Sequence, residues 1–336
     1  MSEKPCLELL SSLAAIMQDA NNHDLTIEAV NITERIVARF GKRDPQRILA
    51  CMEPLLNQLR KEHNSHNIQV VTLHCLSSAV EAAEDALASH LPSFVESILH
   101  SLERSMGAGT EDGRLHRASY AAMDSILAHV PWILSQAGLD RLLEACFESA
   151  QLQMGPDCDK ARQNTIRQVT KNKDIQDCLS ALNRTWEVAM QEGPTAVQEF
   201  MQALQSIIEE IPKTKVAQYS VRLEELLLKA FGLRRIQLSP RTDDSYKESE
   251  INVAEAAINK AVLAFVYKLN DVTFRPIFIR IVDWAIDASP DHDVEAKRLR
   301  QNTLYNFLLY FFSNLKVNPT SSMSFCSVLT ALVCCS

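Results

Sequence analysis

Four groups of residues in this chain could do chemistry. His63 and His66 stand three residues apart with Glu62 beside them, a spacing that could present two imidazoles to a metal. They sit in EHNSHN, a polar stretch that reads as an inter-helix turn with solvated histidines. Asp291-His292-Asp293 follows Pro290 at the head of a helix. Carboxylates there favour the positive end of the helix dipole, so capping accounts for them. Cys334-Cys335 has no partners at ligand spacing. GxSxG, GxxxxGK[ST], HExxH and GxGxxG are all absent. No catalytic residue, metal ligand or cofactor site is assigned, and the expectation is a non-enzyme without a cofactor.

The fourth group is a basic stripe. Lys213, Lys215, Arg222, Lys229, Arg234, Arg235 and Arg241 lie in one segment opposed only by Glu224 and Glu225. Seven cations less two carboxylates give +5 locally, in a chain whose net charge is −8. Such a stripe fits RNA phosphate or an acidic partner; the competing reading is a solvated helix face with its adjoining loop. Only Tyr219 and Phe231 interleave the charges, so base stacking is not suggested.

These groups must be positioned by helices. Glycine and proline together are 20 of 336 residues, about 6% against a usual roughly 12%. That deficit disfavours sheet-rich, collagen-like and glycine-rich phosphate-binding folds. Hydrophobic residues make up 46% and charged residues 23%, enough for a sizeable core. Apolar residues recur at helical spacing almost throughout: Leu9, Leu13, Ile16 and Met17; Phe200, Leu204, Ile207, Ile208 and Ile211; Leu304, Phe307, Leu308, Phe311 and Leu315. No run alternates with period two. Helices are expected over about fourteen segments from 5–21 to 292–315, joined by short connections.

The nine cysteines include no CxxC, and Cys6, Cys51, Cys75, Cys146 and Cys178 fall among apolar helical positions, as buried free thiols of a reducing compartment would. No signal peptide opens the chain and no 18-residue apolar run occurs, so a cytosolic or nuclear protein is expected.

Pro5, Pro45, Pro92 and Pro131 are spaced by 40, 47 and 39 residues, and Pro156 and Pro194 by 38. Units of that length match HEAT or armadillo helix pairs. The expected fold is an all-α, HEAT/armadillo-like superhelical solenoid of antiparallel helix pairs, with a globular bundle as the alternative. Domains are placed at 1–235 for the repeat array, 236–249 for a linker, 250–316 for further repeats and 317–336 for an atypical tail. Trp284 is expected on one face with Ile277, Ile281 and Ala288, buried against the helix over 304–315. Residues 304–312, LYNFLLYFF, are apolar nearly all round and require cover on more than one side.

The run YKESEINVAEAAINKAVLAFVYKLNDVTFRPIFIRIVDWA over 246–285, continued by RQNTLYNFLLYFFSNLK over 300–316, resembles the C-terminal region of the U-three small nucleolar RNA-associated protein ten family, in its fungal form. The resemblance covers about 70 residues closely and ends after Lys316. It implies a nucleolar scaffold of the small-subunit processome that acts in processing of pre-18S ribosomal RNA. The implied partners are other processome proteins, and the small nucleolar ribonucleoprotein and pre-ribosomal RNA by direct or indirect contact. Neither a membrane nor a small-molecule substrate is implied. Family members are several times longer, so the chain is expected to be a C-terminal part of one. A generic HEAT adaptor, such as a transport receptor or phosphatase scaffold, is the alternative function.

Overall fold

The structure is a computed structural model and describes residues 3–18, 22–61, 65–107, 113–152, 154–238, 246–286 and 294–314. Among these residues there is no strand. The chain divides into two compact units between Glu192 and Gly193. The sequence instead placed its division at 236–249, of which Ile236, Gln237, Glu248 and Ser249 are helical.

The N-terminal unit contains α1 (Glu3–Gln18), α2 (His23–Phe40), α3 (Pro45–Arg60), α4 (His66–Ala83), α5 (Leu91–Gly107), α6 (Gly113–His129), α7 (Gln136–Glu148), α8 (Pro156–Asn172) and α9 (Ile175–Glu192). Each helix packs on the helix two places along: α1, α3, α5, α7 and α9 form one layer, and α2, α4, α6 and α8 the other. Successive helices also pair across the layers, α1 with α2, α3 with α4 and α5 with α6. The even helices begin at His23, His66, Gly113 and Pro156, so the repeat is 43, 47 and 43 residues long. This is the helix-pair solenoid the proline spacing predicts.

Polar contacts between neighbours in one layer keep the same period. Cys51 Sγ donates to Leu10 O and Gln58 Nε2 to Met17 O, each 41 residues apart. Ser125 Oγ reaches Ser77 O across 48 residues, and Arg141 reaches Glu103 across 38. Arg117 pairs with Asp157 while Asn164 and Thr165 donate to Asp124. An offset that stays near 40 along the whole helix means that α6 and α8 run parallel, in register.

Local chemistry sets the helix starts. Asn22, Ser65 and Ser135 each accept a bond from the backbone N–H three residues on, satisfying donors that the first turn leaves open. Pro45, Pro156 and Pro194 open their helices at the first turn. Asp44, just before α3, makes no side-chain cap; its carboxylate accepts from Arg47 Nε at 2.9 Å. Gly155 and Gly193 precede prolines with φ of 95° and 128°, backbone that favours glycine.

The core of this unit is mostly aliphatic, with Trp186, Tyr120, Phe94 and Phe147 fully buried. Cys51, Cys75, Cys146, Cys158 and Cys178 are buried free thiols. Burial raises the Cys51 and Cys178 thiols to about 12 and the Cys75 thiol well above its ordinary value, so none of these three is a thiolate near neutrality.

A polar cluster interrupts the aliphatic core. Ser105 Oγ lies 2.7 Å from His116 Nδ1, the His116 ring packs edge-on to Tyr120, and the Tyr120 hydroxyl meets Ser149 Oγ at 2.8 Å. His116 is fully buried, and its Nε2 has no hydrogen-bond partner. Burial, and then the Arg162 charge, lower the His116 pKa from 6.5 to about 4. Between those values the unfolded chain binds a proton that the folded chain refuses. Stability is therefore complete above about 6.5 and lost as pH falls towards 4. A difference of that size corresponds to about 3 kcal/mol. Urea denaturation at pH 7 and pH 4.5 should show the loss, and His116→Gln should remove most of this pH dependence. An identical pH profile in the variant would show that His116 does not carry it.

The C-terminal unit contains α10 (Pro194–Glu210), α11 (Val216–Phe231), α12 (Leu233–Gln237), α13 (Glu248–Val266), α14 (Asp271–Ile286) and α15 (Val294–Asn314). Here α13 is central, packing on α10, α11, α12 and α15, while α14 packs on α15. An aromatic chain runs through the unit. Phe231 lies 5.4 Å from Phe307 and 5.9 Å from Trp284, and Phe311 lies 5.7 Å from Phe307 and 5.9 Å from Phe274.

Two expectations change here. Trp284 is only half-buried and its ring contact is Phe231 of α11; the buried face of α14 is Phe274, Ile277, Phe278, Ile281 and Ala285. That face is rotated by about one residue from the expected one, and Ala288 lies outside the described residues. In α15, Phe307 and Phe311 are buried, whereas Tyr305, Leu309 and Phe312 form an exposed stripe. The tail over 317–336 lies outside the described residues.

Candidate nucleic-acid interface

The basic stripe belongs to the C-terminal unit. Lys213 and Lys215 sit in a single 3-10 turn that leads into α11. Lys215, Arg222 and Lys229 follow at steps of seven, two helical turns each, and so share one edge of the exposed face of α11. The opposite face, through Tyr219, Leu223, Leu226, Leu227, Ala230 and Phe231, is buried. Packing of that apolar face fixes the rotation of the helix and turns the cations outward. Arg235 is also exposed, one turn beyond α11 on α12.

Lys213 and Lys215 stand at the N-terminal end of α11. Cations there oppose the helix dipole, whose positive end favours carboxylates. They do not stabilise the helix, and they add to the positive potential above it.

Arg234 is different from its neighbours in the stripe. It is buried, and its guanidinium grips Glu255 of α13 through two bonds of 2.8 Å while also donating to Asn252 Oδ1. Thr303 and Asn306 of α15 donate to the same Glu255 carboxylate at 2.9 and 3.1 Å. Arg234 therefore clamps α12, α13 and α15 together and presents no charge to solvent. Its partner stands 21 residues away, beyond the segment whose charges the sequence balanced. Glu224 also leaves the surface: it is buried and paired with Arg280 of α14. Arg241 lies outside the described residues.

The exposed stripe is thus Lys213, Lys215, Arg222, Lys229 and Arg235, with Glu225 the one exposed carboxylate within it. Five cations less one carboxylate leave four net positive charges. Of the metal-like groups read from the sequence, His66 is described, while His63, Asp291-His292-Asp293 and Cys334-Cys335 lie outside the described residues. Among the described residues no three His, Cys, Asp or Glu side chains gather as a metal set would, and no helix is long and apolar enough to cross a membrane.

Residues 215–330 match the BP28CT (NUC211) domain. The match opens at Lys215 and takes in every described stripe residue except Lys213, then runs on past Lys316. Across 320 residues, 95% of this chain, it is 31% identical to the U3 small nucleolar RNA-associated protein 10 of Neosartorya fischeri. The proteins of the same name from Coccidioides immitis and Neurospora crassa are 31% identical over 324 residues, 96% of the chain. Nearly the whole chain is thus similar to proteins named U3 small nucleolar RNA-associated protein 10. It spans about 18% of the length of these relatives. The family likeness covers both units, including the N-terminal array, where the sequence showed compatible helical repeats but no sharp motif.

Proposed function

We propose that the chain is a non-enzymatic scaffold segment of ribosome biogenesis, acting within the small-subunit processome in nucleolar processing of pre-18S ribosomal RNA. The observation that carries this reading is the 31% identity along 95% of the chain to proteins named for association with U3 small nucleolar RNA. The architecture supports it: stacked helix pairs offer long surfaces rather than a pocket with converging acid and base groups. Other processome proteins, the U3 ribonucleoprotein and pre-ribosomal RNA are the proposed partners. The five exposed cations on α11, α12 and the turn before them are the proposed contact to RNA phosphate.

Affinity-tagged chain recovered from fungal nuclei should enrich U3 small nucleolar RNA over other small nuclear RNAs. Recovery of transport or phosphatase subunits without U3 RNA would overturn the reading in favour of a generic adaptor. Reversing Lys213, Lys215, Arg222 and Arg235 to Glu should weaken binding to RNA and flatten its salt dependence, by about 0.7 in slope for each single-strand phosphate that is no longer neutralised. An unchanged slope would reduce the stripe to a solvated face.

A further inference from the structure

The two layers of the N-terminal unit treat their exposed charge differently. Along the odd layer, arginines are bound by carboxylates. Arg141 of α7 donates to Glu96 and Glu103 of α5 at 2.7 and 2.8 Å, Arg184 of α9 donates to Asp140 of α7 at 2.6 and 2.9 Å, and Arg60 of α3 pairs with Glu53. That face carries a ladder of ion pairs in which these arginines are neutralised.

The even layer ends on α8, where the pattern reverses. Lys160, Arg167 and Lys171 are exposed, and among the described residues none of the three enters an ion pair. Their steps of seven and four bring them within about 40° of one line along the helix. Gln163, also exposed, stands beside that line. The two carboxylates of the helix's first turn are turned to other work, Asp157 to Arg117 of α6 and Asp159 to the buried Arg162. Three cations and an amide therefore line about 16 Å of helix with no carboxylate among them.

We infer that the exposed face of α8 is a second polyanion-binding surface, fitted to the phosphate backbone of single-stranded RNA. Two features favour a nucleic-acid backbone over a folded acidic protein. First, no large apolar side chain is exposed on α6 or α8, and a specific protein interface needs a buried apolar or aromatic anchor at its centre. Second, a line of exposed cations along one helix face matches how proteins hold phosphates without reading bases. α8 itself carries no aromatic side chain, which predicts little preference for sequence. This inference stands on the charge geometry of the N-terminal unit and needs neither the family match nor the stripe on α11.

The test uses the full chain and a fluorescein-labelled uridine 20-mer, with anisotropy followed from low to moderate salt. The K160Q/R167Q/K171Q variant should bind more weakly and lose about 2 from the slope of log K against log salt, since each single-strand phosphate neutralised carries about 0.7. K160R/K171R, which keeps the charge, should retain the parent slope. A circular dichroism melt matching the parent verifies that the exposed substitutions leave the fold intact; single substitutions, each lowering the slope by about 0.7, serve if the triple variant melts early. An unchanged slope in the triple variant overturns the inference, as does failure of the parent to bind the oligonucleotide. Binding of polyglutamate as tightly as of RNA overturns it in favour of an acidic peptide. The variant of the α11 stripe, titrated in parallel, separates the two surfaces: weakening there alone leaves the α11 contact standing while the α8 surface falls, and weakening in the α8 variant alone does the reverse; neither outcome touches the processome reading, which U3 RNA recovery tests.

Discussion

Replacing Glu255 with alanine should destabilise the C-terminal unit by about 3–5 kcal/mol, the range for breaking a buried pair and stranding its partner. Glu255 and Arg234 side chains are each 5% exposed. The carboxylate accepts from Arg234, Thr303 and Asn306 together. Without it, a guanidinium is left in the interior with only Asn252 and the distant carboxylate of Glu248, 3.7 Å away and largely exposed. Hydrogen exchange of the α13 amides in increasing urea reads the loss locally. Substituting both partners, Arg234→Met with Glu255→Leu, should recover most of it, because the pair's attraction is largely offset by the desolvation of two charges. If Glu255→Ala loses less than about 1 kcal/mol, the clamp is not what joins α12, α13 and α15.

A contrast within one helix gives the second large effect. Phe307 is fully buried between Phe231 and Phe311, so Phe307→Ala removes a large side chain from a site walled by other rings. The expected cost is about 3–5 kcal/mol. Phe312, five residues on, is 42% exposed, and Phe312→Ala should fall within about 1 kcal/mol of the parent. Equal losses at the two positions would mean that the exposed stripe of Tyr305, Leu309 and Phe312 is covered in solution.

The physics of period and punctuation made most of the fold readable in the sequence. Apolar residues at steps of three and four marked the long helices, and prolines at first turns marked the repeat, because both act within a few residues of chain. The failures have one cause. LYNFLLYFF supplies apolar residues on every side, so the pattern could not say that Phe307 and Phe311 face inward while Tyr305 and Leu309 face out. Trp284 was placed by stepping from Ile277 and Ile281, but Phe274, Phe278 and Ala285 set the true centre of the buried face. Composition found the basic stripe and its exposed members. It could not find that Arg234 is held by Glu255, since that pairing depends on how α12 meets α13. The α8 line is masked in another way: Asp157 and Asp159 bring the count over α8 down to 4 − 2 = +2 until their partners are seen.

The constant register of the N-terminal array also governs how this part of the chain emerges from a ribosome. Among the described residues the polar contacts between neighbours in one layer reach no further than 48 residues. At roughly 5–20 residues per second, the partner of any helix in a layer is synthesised within about 2–10 seconds of it. Each helix pair can dock on the preceding one while the next is still being made, and no buried face waits for a distant segment. A long repeat protein built this way exposes about one repeat's worth of apolar surface at a time, whatever its total length.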